Sequence, residues 1–214
     1  MIQYKHFKNR ADWLKGREKF PGIGASEASA IVGASSWMTA TELWEIKTGR
    51  KKRKDLSDNE FIQYGTEAEQ HIRGLFMLKH DNYTLEYRPY DFVFQAERPW
   101  LRCTLDGELT SEDGEHGILE VKTHMVRDKN DLRTWDNRIP DAYLIQLLHQ
   151  FIATEYTFAY LTAELIFQNF DSQIRTYYFD ANDYREDMDW LLKEEIKFWD
   201  NVQSGNSPSV KLIL

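Results

Sequence analysis

The sequence predicts an α/β (α+β) fold in which helices flank a central mixed β-sheet. Three observations support this class. Apolar residues recur at helical spacing in the first third of the chain, short alternating segments rich in Tyr, Phe and Val fill the middle, and helical spacing returns twice among further strands. Such an order is typical of layered α/β architectures. Because no internal repeat, low-complexity tract or Pro/Ser-rich linker divides the chain, we expect a single domain over residues 1–214.

Helices are predicted where apolar residues lie three or four positions apart. The first is short, follows the glycine-rich turn at 21–24 and is expected to have Ser26 as its N-cap, because a serine hydroxyl accepts hydrogen bonds from free amides at a helix start. The second ends at Gly49, a typical helix stop. The predicted helices cover residues 26–32, 39–48, 59–79, 141–154 and 182–202.

Strands are predicted where apolar and polar residues alternate and aromatic or β-branched side chains are frequent. The second and third of these strands are joined by residues 111–117, whose composition is typical of a turn. The predicted strands cover residues 83–96, 100–110, 118–124, 157–168 and 173–179.

Composition excludes several classes of protein. A hydrophobic content of 42% and an aromatic content of 14% are ample for a packed core. The single cysteine, Cys103, excludes an internal disulfide and a metal cage made only of thiolates. No apolar run approaches the roughly 20 residues that span a bilayer, and the N-terminus lacks the apolar core of a secretory signal. We therefore expect a soluble cytoplasmic protein that does not bind a membrane.

The formal net charge of −8 does not decide whether this protein binds DNA. Lysine and arginine need only line the surface that meets phosphate, so their distribution matters more than the sum of charges. The run at 47–54 is strongly basic, whereas the C-terminal third is acidic. The basic run is expected to be either a DNA-contacting surface or a solvated, mobile loop.

Two acids and a lysine on neighbouring predicted strands form the candidate site. Residues two apart on a strand point to the same face, so Glu120 and Lys122 should project together while Val121 points to the opposite, buried side. The turn at 111–117 lets the strand that ends near Asp106 return beside them. We therefore expect two carboxylates and one ammonium to meet at an edge of the sheet.

This combination of charges suits phosphodiester hydrolysis. Carboxylate oxygens are hard ligands for Mg²⁺, which keeps several waters and binds substrate phosphate. A bound metal lowers the pKa of its water and stabilises charge on the attacked phosphate. Lys122 would position the water, deprotonate it or offset the charge on the phosphate, and the sequence leaves these roles open. A surface salt bridge between strand neighbours is the structural alternative.

Four blocks of sequence resemble the PD-(D/E)XK nuclease superfamily and, within it, the lambda exonuclease and YqaJ-like viral recombinase (alkaline exonuclease) family. Their match spans roughly residues 13–155 and implies a restriction-endonuclease-like core. The blocks are WLKGR at 13–17 with GIGASEA at 22–28, GxxxE at 65–69 with LF at 75–76, DG at 106–107 with EVK at 120–122, and AYLIQ at 142–146.

The resemblance assigns the central residues of the site. Asp106 and Glu120 match the metal-binding acids of the family, and the backbone carbonyl of Val121 is expected as a further ligand. Lys122 matches the catalytic lysine. The implied cofactor is Mg²⁺, for which Mn²⁺ can substitute, with two ions per site at the usual spacing of about 3.5–4 Å.

The flanking helices are expected to complete this site. Glu69 matches an acid on the preceding helix that orders the metal water, with Glu67 as a competing candidate. Gln146 matches the glutamine of the following helix that touches the active-site lysine or the nucleophile. Tyr143 and Gln150 share the helical face of Gln146 and are candidates for contact with DNA.

A second subsite is implied near the N-terminus. Arg17 and Ser26 match the pocket that holds the 5′-terminal phosphate of the digested strand. An arginine fork and a hydroxyl at a helix N-terminus make a suitable anion site. The spacer between these residues is about two residues longer than the usual form of the family, which leaves Lys19 as an alternative to Arg17.

The resemblance implies a Mg²⁺-dependent 5′-to-3′ exonuclease that acts on linear double-stranded DNA and leaves 3′ single-stranded overhangs for phage-type recombination. It further implies a ring-shaped homotrimer, a single-strand annealing protein as partner, and a bacterial or phage-infected host cell. Three alternatives remain open: an endonuclease or repair nuclease on the same fold, a catalytically idle DNA-binding or recombination scaffold, and a sheet protein whose ion pairs are purely structural.

Overall fold

The computed structural model describes residues 1–169 and 171–208. Nine strands lie in this part of the chain. They are β1 (Ile2–His6), β2 (Ile23–Gly24), β3 (Tyr83–Glu86), β4 (Asp91–Gln95), β5 (Arg98–Cys103), β6 (Gly107–Ser111), β7 (His116–Met125), β8 (Phe158–Ile166) and β9 (Ser172–Asp180).

Seven α-helices and two short 3-10 helices accompany these strands in the described residues. The α-helices are α1 (Arg10–Lys19), α2 (Ala28–Ile31), α3 (Ala40–Lys47), α4 (Glu60–Met77), α5 (Lys129–Arg133), α6 (Asp141–Thr154) and α7 (Arg185–Ser204), and the 3-10 helices are Ala25–Glu27 and Ala181–Tyr184. None of these helices has the length and apolar character that a membrane crossing requires.

The strands form two mixed sheets. The first has the order β1-β4-β5-β2, with β2 parallel to β5 and the other pairs antiparallel. The second has the order β3-β6-β7-β8-β9, with β7 parallel to β8 and the other pairs antiparallel. The mixed α/β architecture with flanking helices is therefore confirmed, but the central sheet is divided into two.

This division comes from two breaks that the sequence analysis missed. The predicted strand 83–96 is interrupted at Pro89, which has no amide hydrogen to donate, and its two halves enter different sheets as β3 and β4. The predicted strand 100–110 is interrupted before Asp106, and its halves become β5 and β6. Both predictions of one continuous strand were wrong. Apolar and polar residues alternate on both sides of each break, so this pattern does not reveal where the strands end.

Helix boundaries follow the capping residues closely. Thr39 caps α3 by accepting a hydrogen bond from the amide of Glu42 (3.1 Å). Asn59 caps α4 by accepting from the amides of Phe61 (3.0 Å) and Ile62 (3.3 Å). Helix α1 was absent from the predictions, and its only buried residue is Gly16, so it has no apolar stripe to reveal it.

The turn around Ser26 differs from the prediction. Ser26 is exposed and lies inside the 3-10 helix that precedes α2, so the assignment of this residue as an N-cap was wrong. Glu27 does the capping instead: its Oε2 accepts a hydrogen bond from the amide of Gly24 at 2.8 Å. The longer acidic side chain of Glu27 reaches back over one turn to the amide of Gly24, and Ser26 is exposed.

The two faces of β7 pack against different helices. Leu119 and Val121 belong to the apolar cluster formed with α4, whereas Ile118 joins the cluster around α6. Glu120 therefore projects toward α6 from a strand that is buried on both sides. Gly107, which follows Asp106, allows β6 to lie close to its neighbours, because an added Cβ would be 2.6 Å from Leu85 Cδ1.

Candidate active site

Glu120 and Lys122 project from the same face of β7. The Lys122 ammonium donates a hydrogen bond to Glu120 Oε1, and Glu120 is only 2% exposed. Burial by itself would lower the pKa of Lys122, but the carboxylates of Glu120 and Asp106 outweigh it and raise that pKa. Lys122 is therefore a stable ammonium in this arrangement.

Asp106 reaches the same place from the segment between β5 and β6. Its Oδ2 accepts a hydrogen bond from the amide of Val121 at 2.8 Å, and its backbone carbonyl accepts from Arg73 Nη1 at 3.2 Å. Burial and the negative charges of Glu120 and Glu69 raise the pKa of Asp106 well above its usual range. The break between β5 and β6 thus brings this carboxylate onto the backbone of the strand that carries Glu120.

Of the two competing acids on α4, Glu69 faces this cluster. Burial raises its pKa, the negative charge of Glu120 raises it further, and Arg73 and Lys122 act in the opposite direction. Glu67 lies two residues earlier, and its side chain is exposed. The structure therefore brings Glu69 together with Asp106, Glu120 and Lys122.

Helix α6 contributes two amides to Glu120. Gln146 Nε2 donates to Oε1 of Glu120, and Gln150 Nε2 donates to Oε2 at 2.6 Å. Gln150 is fully buried, so its expected contact with DNA is wrong. Tyr143 is partly buried, and its ring centroid is 5.2 Å from Lys122 Nζ.

The donor set fits a hard divalent cation. Asp106, Glu120 and Glu69 present carboxylate oxygens, and burial together with the negative charge of Glu120 raises the pKa values of Asp106 and Glu69. In the described residues no three acidic, histidine or cysteine side chains are close enough to form a metal cage by themselves. Mg²⁺ is commonly bound through one or two carboxylates and keeps several waters, so Asp106 and Glu120 are the acids of this site that could hold it.

The predicted phosphate pocket lies among buried charges. Arg17 is half-buried on α1, with its guanidinium 5.0 Å from the centroid of the Trp13 ring. Burial lowers the pKa of Arg17, while Glu27, the residue after Ser26, raises it. Lys19, the alternative, is exposed. Of the two candidates, Arg17 is the one within electrostatic reach of the turn that carries Ser26.

Glu27 organises this basic cluster, and sequence analysis missed it. It is 4% exposed and forms ion pairs with Lys47 Nζ at 2.6 Å and with Arg53. Burial would raise the pKa of Glu27, but Lys47, Arg53 and the amide of Gly24 lower it to about 2. Arg102, on β5, also interacts with Glu27, and burial lowers its pKa to about 10. The signal in the sequence that could have revealed Glu27 is its position three residues after Gly24, which is the spacing of a capping box.

The basic run at 47–54 is therefore partly structural. Lys47 and Arg53 turn toward the buried carboxylate of Glu27, and Lys51 pairs with Glu42 at 2.5 Å. These contacts hold the run against α3 and the turn before α2. Neither of the two predicted descriptions, a DNA surface or a freely solvated loop, applies to all of its residues.

Comparison with solved structures defines the class of this fold. The alkaline exonuclease LHK-Exo from Laribacter hongkongensis superposes with a TM-score of 0.63 at 14% identity, over 91% of this chain and 93% of that one. A phage-related exonuclease from Haemophilus somnus 129PT superposes with a TM-score of 0.56 at 13% identity, over 86% and 96% of the two chains. The fold is that of the alkaline exonucleases, with a PD-(D/E)XK core.

The family follows from sequence. Residues 12–157 match the model of the YqaJ-like viral recombinase domain, and the chain belongs to that family. It is 31% identical over 212 residues to the YqaJ protein of Bacillus subtilis (strain 168), covering 94% of this chain and 59% of that relative. The chain thus spans about three fifths of the length of this relative. A structure of LHK-Exo in complex with dAMP also superposes, with a TM-score of 0.54 at 15% identity.

Proposed function

We propose that this protein is a Mg²⁺-dependent exonuclease that digests one strand of linear duplex DNA from its 5′ end and leaves a 3′ single-stranded overhang for recombination. The observation that supports it is the meeting of Asp106, Glu120 and Lys122 on one side of β7, with Asp106 bound to the amide of Val121. The shared fold and the family of viral recombinases agree with this activity.

The proposed roles follow from the positions of the side chains. Asp106, Glu120 and the carbonyl of Val121 would hold the metal, which supplies an activated water and stabilises charge on the phosphate. Glu69 would accept hydrogen bonds from water at the metal. Gln146 holds Glu120 in place.

Lys122 would stabilise charge on the attacked phosphate. Its pKa is raised by Glu120 and Asp106, so its ammonium form persists at neutral pH. This protonation state favours a role in charge stabilisation and water positioning over a role as the base that deprotonates the water.

Arg17 and Ser26 would bind the 5′-terminal phosphate. Ser26 is exposed, and Arg17 lies close enough to Glu27 to interact with its charge. In the cell we propose that the protein acts in the cytoplasm as a ring-shaped homotrimer, with a single-strand annealing protein that receives the overhang.

Linear duplex DNA labelled at either the 5′ or the 3′ end tests the proposed activity. With Mg²⁺ or Mn²⁺, the 5′ label should be released first, and without metal neither label should be released. A closed circular duplex of the same sequence should remain intact, because it has no end. Cutting of the circle would indicate an endonuclease on this fold. If no substrate is cut, with or without metal, the protein would instead be a binding scaffold.

Removal of the 5′ phosphate should slow digestion, and the Arg17→Ala variant should lose this preference. An arginine–phosphate fork contributes a charge-assisted, bidentate interaction, so we expect a loss of about tenfold or more in kcat/KM on phosphorylated ends and little change on hydroxyl ends. Lys19→Ala is the matched control and should retain the preference. Equal rates of the wild type on both ends would argue against this pocket, and loss of the preference in Lys19→Ala alone would assign it to Lys19.

A further inference from the structure

We propose that Gln150 is a positioning residue that orients Glu120 Oε2 for the divalent cation. This inference rests on the proposed metal site and adds a residue that the family resemblance does not assign. Gln150 Nε2 donates to Glu120 Oε2 at 2.6 Å, and both side chains are buried.

The two oxygens of Glu120 are engaged unequally. Oε1 accepts from both Lys122 Nζ and Gln146 Nε2, whereas Oε2 accepts from Gln150 Nε2. A carboxylate oxygen offers about two lone-pair directions, so Oε1 has both occupied and Oε2 keeps one. The geometry therefore assigns Oε2 as the oxygen with a free direction for a cation, and Gln150 fixes that direction.

Gln146 and Gln150 act as a pair because they lie one helical turn apart on α6. Residues at i and i+4 share a helix face, which lets each amide take a different oxygen of the same carboxylate. Together they prevent the carboxylate from rotating about its last side-chain bond. A single amide would hold one oxygen and leave the second free to swing.

The other end of the Gln150 amide argues against a purely structural role. Its Oε1 is buried and has no hydrogen-bond partner in the described part of the chain. An unpaired buried acceptor lowers stability, and an apolar side chain of similar size would avoid that cost. A glutamine at this position is explained by the donor that it directs at Glu120.

The backbone of Gln150 is itself fixed. The neighbouring His149 has both ring nitrogens within hydrogen-bonding distance of acceptors, Glu195 Oε1 at 2.6 Å and the carbonyl of Arg102 at 3.0 Å. Thr154 Oγ1 donates to the carbonyl of Gln150 at 2.8 Å. The two contacts of His149 tie α6 to α7 and to β5, and these ties hold Gln150 in place relative to the rest of the fold.

The test measures binding of Mn²⁺ to the DNA-free protein by calorimetry, using Gln150→Met, which keeps the volume and removes the donor. Loss of an outer-shell partner of a metal ligand typically weakens affinity by about 10- to 100-fold, and we expect a loss in that range. The melting temperature of the metal-free variant should fall only slightly, because loss of the donor to Glu120 Oε2 is partly offset by removal of the unpaired Gln150 Oε1. In digestion assays, the Mg²⁺ concentration for half-maximal rate should rise, with the rate recovering at saturating metal.

Two further variants make the result specific. Gln150→Asn keeps an amide that is too short to reach Glu120, so it should weaken Mn²⁺ binding as Gln150→Met does, and it carries the test if the methionine variant fails to fold. Ile152→Val, at a buried apolar position on the same helix, should lower the melting temperature slightly and leave Mn²⁺ affinity unchanged.

The outcomes separate this inference from the function on which it rests. Wild-type protein that binds no Mn²⁺ would overturn the metal site and the role of Gln150 together. Wild-type binding with affinity within twofold in both Gln150 variants would overturn only the role of Gln150. A variant that loses melting temperature and keeps its affinity would show that Gln150 serves packing.

Discussion

Replacement of Lys122 by alanine is expected to reduce DNA digestion by about 10²- to 10⁴-fold, the range that a positioned proton-transfer or charge-stabilising group contributes. The ammonium is held by Glu120, and its pKa is raised by Glu120 and Asp106, so it supplies a fixed positive charge beside the proposed metal. Initial rates on linear duplex DNA at saturating Mg²⁺ measure the effect.

Lys122→Arg distinguishes the two kinds of role. If Lys122 acts as a charge, arginine retains part of the rate, although its planar guanidinium differs in shape. If Lys122 acts as a base, arginine is as inactive as alanine, because a guanidinium does not lose its proton in this pH range. Lys197→Ala, which breaks an exposed ion pair on α7, is the control and should keep the wild-type rate. Full activity in Lys122→Ala would remove the residue from the mechanism.

The same substitution should affect stability in a metal-dependent way. Without Lys122, the carboxylates of Glu120, Asp106 and Glu69 lose their shared counter-ion, and the mutual repulsion of buried acids rises. We therefore expect the metal-free variant to melt below the wild type and Mg²⁺ to restore part of the difference. Rates must accordingly be compared well below the melting temperature of the variant.

The parts of the site that could be predicted are those set by local periodicity. A two-residue period is enough to place Glu120 and Lys122 on one face of β7, and a helical period places Gln146 and Gln150 on one face of α6. Periodicity does not say what covers a face. Gln150 was thus a candidate for contact with DNA, whereas the fold packs it against Glu120.

The elements that escaped prediction lack such a local signal. Helix α1 buries little, so its side chains show no apolar stripe. The buried state of Glu27 depends on Lys47 and Arg53, which are 20 and 26 residues further along the chain. In the sequence, an acid that is buried by distant partners cannot be distinguished from an acid that is exposed to solvent. The division of the sheet was missed because apolar and polar residues continue to alternate after Pro89 and on both sides of Asp106.

The largest expected effect on stability comes from His149 and Glu195, which are both fully buried. His149 Nδ1 is 2.6 Å from Glu195 Oε1, and Nε2 is 3.0 Å from the carbonyl of Arg102. When Glu195 is ionised both partners are acceptors, and this arrangement favours the imidazolium form of His149, which has two donors. Burial would lower the pKa of His149, but Glu195 and the Arg102 carbonyl raise it above 6.5.

His149→Leu should lower the free energy of unfolding by about 3–5 kcal/mol, because it leaves Glu195 as a buried carboxylate without its partner. Urea unfolding followed by circular dichroism measures the change. The double variant His149→Leu, Glu195→Met should recover most of the loss, since an apolar pair of similar volume carries no desolvation cost. His71→Leu, at an exposed position on α4, is the control and should change stability by no more than about 0.5 kcal/mol.

The pH dependence of this pair has a defined sign. A histidine whose pKa is raised on folding contributes its full stabilisation below the unfolded pKa of about 6.5 and loses it as the pH rises through the folded value. The wild type should therefore lose unfolding free energy between pH 6 and alkaline pH, and the double variant should lack this component. If the single His149→Leu variant is as stable as the wild type, Glu195 is protonated and α6 is not held by a buried ion pair. Contacts other than those of His149 would then have to fix the position of Gln150.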